Sequence, residues 1–202
     1  MNYKTLIFDL GNVLVDFSHE KMFSQMAAVT GIPSEEVHSL LFEERTGLQY
    51  ERGLITTEEI YALIKTKATL SFEMPELLDA ASSIFSPKIE MERLVHKLKT
   101  IGYRLIVLSN TFKPHIDYIS NNYSILPYFD YRIYSYEVGF AKPEPQIYKL
   151  ALKYAECAPR EVYYIDDKIE NIRPAEILGI HCHHFKSPSL LMDDLIRRGI
   201  LA

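Results

Sequence analysis

Five short apolar runs, at residues 5–10, 104–108, 132–134, 162–165 and 180–185, recur along the chain, and stretches of helical spacing lie between them, notably 91–101 and 147–154. Strand and helix in alternation can close only as βαβ units, that is, as a parallel sheet with right-handed crossovers and helices on its faces. The expected fold class is therefore α/β, a Rossmann-like parallel sheet flanked by helices. The first run ends abruptly: Leu6-Ile7-Phe8 is followed by Asp9, then by the turn formers Gly11 and Asn12. A buried parallel strand would deliver Asp9 to its carboxyl end, where open α/β sheets bind their ligands. A carboxylate there is costly unless it is paired, metal-bound or reactive.

The interval between the first and second runs is far too long for one crossover. It carries helical patterns and no strand-like alternation. One pattern spans 21–29. Ser34-Glu35-Glu36 reads as the capped start of a second, through Val37, Leu40 and Leu41. Thr56-Thr57-Glu58-Glu59 reads as the N-cap and acidic first turn of a third over 60–68, and Pro75 opens a fourth over 76–84. The block is expected to be a small helical cap inserted after the first strand, residues 16–87, on a core of residues 1–15 and 88–202.

With 202 residues, 48% of them hydrophobic, the chain can bury a full core. A net charge of −5 argues against nucleic acid as partner, and no run approaches the ~20 apolar residues of a membrane span. Cys157 and Cys182 offer no disulfide framework and Asp9 interrupts the only early apolar run, so the cytoplasm is the expected location. Oligomeric state is left open by these features.

Three further stretches share the placement of Asp9. Residues 105–108 end in Ser109-Asn110-Thr111, residues 163–165 end in Asp166-Asp167 with Asn171 following, and Lys142-Pro143-Glu144-Pro145 opens a helix. Converging on one rim, they would bring together three carboxylates, an amine, a hydroxyl and free backbone N–H groups. Such a set suits a phosphate and a hard cation such as Mg²⁺. Lys142 and Ser109 would meet phosphoryl oxygens, the N–H groups of Leu10 and Gly11 would complete the cradle, and Asp9 could attack as a nucleophile. Each piece alone has an ordinary alternative: a helix cap for Ser109-Asn110 and for the acid pair, a solvated amine for Lys142.

In this order, Asp9, Ser109, Lys142 and Asp166-Asp167 resemble the four motifs of the haloacid dehalogenase-like hydrolases, and the helical insert resembles the small cap class of that superfamily. The wording of the motifs is most similar to the branch that holds bacterial α-glucose-1-phosphate phosphatase and the phosphatase domain of soluble epoxide hydrolase. The resemblance implies a Mg²⁺-dependent phosphatase acting on a small phosphorylated metabolite, sugar-like in kind, through a phosphoaspartate on Asp9. It further implies Mg²⁺ on Asp9, the Gly11 carbonyl and the acid pair, with Asp167 preferred as the direct ligand and Asp166 then reaching the ion through a water. Ser109 and Asn110 would hold the transferring group, Lys142 would link it to Asp9, and Asn171 would orient the acids. Arg45 and Tyr50 are the cap residues proposed to touch substrate. Glu51-Arg52 reads as a solvated helix face.

One position departs from the pattern. Most phosphatases of the superfamily carry a second aspartate two residues after the nucleophile, as general acid and base; here that residue is Gly11. A dehalogenase, or a silent phosphate- or partner-binding protein, therefore stands as the alternative, although a dehalogenase would have no use for Asp166-Asp167. His181-Cys182-His183-His184 lacks metal-site spacing and reads as a final strand whose alternate residues face opposite sides.

Overall fold

A computed structural model describes residues 2–43 and 46–202. Five strands, β1 (Thr5–Phe8), β4 (Arg104–Ser109), β5 (Tyr131–Tyr134), β6 (Val162–Asp166) and β7 (His181–His184), form one parallel sheet in the order β5-β4-β1-β6-β7. β1 lies at the centre, which is why its run is apolar on both faces. Alternate residues feed two layers. Leu6, Phe8, Leu105, Val107, Tyr163 and Ile165 pack with α6 (Ile89–Thr100) and α11 (Pro188–Arg197). Ile7, Ile106, Leu108, Ile133 and Tyr164 pack with α9 (Pro145–Ala155) and α10 (Ile169–Ile177). Two covered faces make this the expected α/β architecture.

The insert comprises α1 (His19–Thr30), α2 (Ser34–His38), a π-helical turn (Ser39–Glu43), α3 (Thr46–Glu51), α4 (Thr57–Lys67) and α5 (Met74–Ser82). α1 starts where the Ser18 hydroxyl accepts from Lys21 N at 3.1 Å and stops at Gly31, whose left-handed φ of 72° turns the chain. Thr56 caps α4 as expected, in a reciprocal box with Glu59: Glu59 N donates to the Thr56 hydroxyl at 3.2 Å and Thr56 N to the Glu59 carboxylate at 2.7 Å.

Three readings of this block require correction. Ser34 is not an N-cap; Pro33 holds that position, and Ser34 is the first helical residue. The pattern at 34–41 does not continue as one helix, since five-residue spacing interrupts it from Ser39. The block also begins and ends in strand: β2 (Val15–Phe17) and β3 (Phe85–Pro87) pair antiparallel as the ribbon through which the chain enters and leaves the insert. Three residues are too few to show alternation, so neither strand was visible as a pattern. No helix among the described residues is long and apolar enough to cross a membrane.

Candidate active site

Strand register sets the centre of the site. Phe8 lies opposite Val107 on one side and Ile165 on the other, so the next residues, Asp9 and Asp166, emerge side by side, with Asp9 N donating to the Ile165 carbonyl at 2.9 Å. Lys142 enters from the loop before α9, and its Nζ donates to Asp9 Oδ1 and to Asp166 Oδ2, each at 2.7 Å. All three side chains are nearly buried. The Asn110 side chain positions the lysine: its Nδ2 donates to the Lys142 carbonyl at 2.9 Å while its Oδ1 accepts from Lys142 N at 2.8 Å. The Asn110 side chain is thus engaged by the Lys142 backbone, while the residue itself lines the cleft around the acids.

Asp166 is fully satisfied. Beyond Lys142, it accepts from Asn171 Nδ2 at 3.0 and 3.1 Å, from Lys168 N at 2.9 Å and from the Tyr164 hydroxyl. Burial opposes its ionisation, but Lys142, Tyr164 and the Lys168 N–H together hold its carboxyl below the ordinary range. Asp167 differs: Oδ2 accepts from Asn12 Nδ2 at 3.2 Å, and Oδ1 is buried with no partner among the described residues. The Asp167 carbonyl accepts from His184 Nε2, at 2.9 Å. Asp9 is pushed up to about 7, chiefly by burial, against the pull of Lys142 and with the push of Asp166 and Asp167.

These three acids place one carboxylate oxygen each within 4.8 Å of one another. Set against one ammonium, three carboxylates leave an excess of two negative charges in a buried place. A hard dication answers that excess, and the orphan Oδ1 of Asp167 is an oxygen awaiting such a partner. The residues therefore fit Mg²⁺.

Around the acids opens a cleft of about 350 Å³. Leu10, Gly11, Ser109, Asn110, Lys142, Asp167 and Asn171 all line it. Among the described residues, the N–H groups of Leu10 and Gly11 donate to nothing. Helix α3 closes the far side with Leu48 and Glu51, and the ribbon with Phe17 and Phe85. Tyr50 is not in this lining. It stacks on Phe112, centroids 4.7 Å apart, and its hydroxyl bonds the Thr57 hydroxyl at 2.7 Å. Arg45 lies outside the described residues.

Sequence reasoning overlooked four contributors. Tyr164 had a signal, since it stands two residues before Asp166 and so shares its face of the strand. Asn12, at φ 57°, fits the tolerance of asparagine for left-handed backbone, and the Gly11-Asn12 turn pointed to it. Phe17 and Glu51 had none, since both reach the site only through the placement of the insert.

With this geometry in place, comparison with known proteins is decisive at the level of family. The model of the haloacid dehalogenase-like hydrolases matches residues 3–179. The chain belongs to that family. As a haloacid dehalogenase-like hydrolase it stands among phosphatases. It is 24% identical to the sesquiterpene phosphatase of Aspergillus oryzae, over 88% of this chain and 87% of that protein. It is also 24% identical to the D-ribitol-5-phosphate phosphatase of Bacteroides thetaiotaomicron, over 87% and 88%. It spans only 36% of the rat bifunctional epoxide hydrolase 2, at 30% identity over 89% of this chain. Among solved structures, a family enzyme from Bacteroides thetaiotaomicron in complex with magnesium and inorganic phosphate superposes with a TM-score of 0.78 at 28% identity, covering 92% of this chain and 95% of that one.

Proposed function

We propose that this protein is a Mg²⁺-dependent phosphomonoesterase that hydrolyses a small, sugar-like phosphate through a phosphoaspartate on Asp9. The observation that carries the reading is the arrangement at the sheet's carboxyl rim. A buried carboxylate faces an open cleft, its ammonium partner is shared with a second acid, and a third acid keeps an unpartnered oxygen. An acid with a purely structural role would be satisfied on every side, as Asp166 is. The phosphatases among its relatives, and the family structure holding magnesium and phosphate, support the same reading.

Asp9, Asp167 and the Gly11 carbonyl would hold Mg²⁺, with Asp166 behind them. Bound there, the ion would supply neutralising charge to the acids and to the phosphoryl oxygens. The remaining work falls to the chain. Lys142 keeps the Asp9 carboxylate oriented and offsets charge on the phosphoryl group. The Ser109 hydroxyl and the unengaged N–H groups of Leu10 and Gly11 offer donors to its oxygens. Leu48, Phe17, Phe85 and Phe112 form an apolar wall that excludes water and can face the carbon skeleton of the leaving group.

Phosphate release from a panel of sugar phosphates, polyol phosphates, isoprenoid phosphates and acyl phosphates, with Mg²⁺ and with EDTA, tests the proposal. Release that requires the metal and favours sugar or polyol phosphates is expected. Metal-independent release, or turnover only of 2-haloacids, would overturn it.

A further inference from the structure

Expulsion of an alkoxide from a phosphate ester needs a proton donor at the leaving oxygen. The groups on the sheet rim are poorly placed to serve. Lys142 is held between two carboxylates and Asp166 is saturated by donors. Position 11 has no side chain, and the space for one is taken: a Cβ built on Gly11 would lie 2.7 Å from Cε1 of Phe17. Asp16, next to Phe17 in the ribbon, points away and pairs with Lys88.

The cap supplies a carboxyl group that is free. Glu51 ends α3 and lines the cleft that holds Asp9, Ser109 and Lys142. It is half-buried, and among the described residues it has no hydrogen bond or ion pair. Its two successors fix its place. Arg52 pairs with Glu144 of the core, two residues after Lys142. Gly53, at φ 64°, brings the backbone so close to the Tyr136 carbonyl that a Cβ there would lie 2.2 Å from its oxygen. We propose that Glu51 is the general acid and base of this hydrolase, delivered by the cap to the side of the cleft that Gly11 leaves without a carboxyl group. The assignment rests on the phosphomonoesterase reading.

The steps balance. One oxygen of Asp9 bonds to phosphorus as the bond from phosphorus to the leaving oxygen breaks, and the Glu51 carboxylic acid gives its proton to that oxygen, so an alcohol departs. Water then bonds to phosphorus, its proton passes to the Glu51 carboxylate, and the bond from phosphorus to Asp9 breaks. Inorganic phosphate leaves with the Asp9 carboxylate and the Glu51 acid restored. Burial favours the protonated form that the first step needs, holding the Glu51 carboxyl above its ordinary range against the opposing charges of Lys168, Lys142 and Arg52. The other titratable groups of the cleft wall among the described residues are Asp9, Asp167, His19, Glu170 and His115, and the last is bonded to the Ala81 carbonyl.

Kinetics of the full-length wild type and the isosteric Glu51→Gln variant with Mg²⁺, on p-nitrophenyl, phenyl and alkyl phosphates, test this. The variant is expected to lose ~10²–10⁴-fold in kcat/KM on alkyl phosphates. On p-nitrophenyl phosphate, whose leaving group needs no proton, kcat/KM should stay within about threefold, with a stoichiometric burst of nitrophenolate as the phosphoaspartate accumulates. The alkaline limb of the wild-type pH profile on alkyl phosphates should vanish. Equal losses on every substrate in a variant of unchanged circular dichroism and Tm would overturn the role while leaving the phosphatase intact. Unchanged rates on every substrate would overturn it as well. A wild type that releases phosphate from none of them would overturn both readings together.

Discussion

Asp9 is held where ionisation is hardest, and that sets the stability and the chemistry of the site against each other. Its carboxyl, near 3.8 in an unfolded chain, is pushed up to about 7 by burial. The folded state therefore binds the extra proton between those values, and the contribution of this group to stability falls as pH rises from about 4 to 7. Asp9→Asn is expected to abolish turnover and, without Mg²⁺ at pH 8, to raise Tm, while at pH 4 the two proteins melt alike. A variant that keeps its rate would place the chemistry elsewhere. Lys142→Met does the reverse, leaving Asp9 and Asp166 buried with no counter-charge, and should cost about 3–5 kcal/mol in urea unfolding. At Gly11 the constraint is steric. Gly11→Ala drives a methyl group into the Phe17 ring and should cost about 1–3 kcal/mol, most of which Phe17→Ala in the same chain should return. Additive losses in that pair would show that the ring is not the obstacle.

At the scale of elements, the contact between insert and core decides what faces the cleft. The Arg52–Glu144 pair is partly exposed, so Arg52→Ala should change stability by less than about 1 kcal/mol. It should nevertheless raise KM severalfold, because α3 loses its tie beside Glu51; kinetics and Tm measured on one preparation separate the two effects. A second joint lies between α5 and α7 (Lys113–Asn122), where His115 bonds the Ala81 carbonyl at 3.1 Å and meets Phe85 edge to face. Burial lowers His115 to about 4, so the imidazole is neutral in the folded protein. The unfolded chain takes up a proton first, and stability should fall as pH drops from 6.5 towards 4, by up to about 3 kcal/mol. His115→Leu should flatten that part of a Tm–pH curve, and a curve of unchanged slope would exclude the histidine as its source.

For the whole molecule, closure depends on Asp194, which joins the last helix to the sheet and to the chain's beginning. It accepts from the Tyr163 hydroxyl, from Arg197 at 3.0 Å and from Arg198 at 2.9 Å, and lies 3.2 Å from His183 Nδ1, while Arg198 also reaches the Tyr3 hydroxyl at 3.0 Å. These donors outweigh burial and hold its carboxyl at about 2. The stability it contributes is complete above pH 4 and should be lost as pH falls from about 4 to 2, on the order of 2 kcal/mol. Asp194→Asn should remove that acid limb and lower stability at pH 7 by about 1.5–3 kcal/mol.

The sequence by itself determined the α/β class, the five core strands and the order of the groups on the rim. Local rules suffice for these: an apolar run of four or five residues, ended by a polar one, is a buried strand with its ligand end marked, and parallel pairing brings such ends together. It also implied an insert after the first strand, because a helical stretch that long cannot be a single crossover. Only the tertiary structure decided the rest. The Asn110 side chain anchors the backbone of Lys142, a partner 32 residues away. Tyr50 turned onto Phe112, and its neighbour Glu51, which reads as one more charge on a solvated helix, entered the cleft. Which face α3 presents is set by the Arg52–Glu144 pair and by the close approach of Gly53 to Tyr136. Those contacts join residues more than eighty positions apart, and spacing along a chain carries no trace of them.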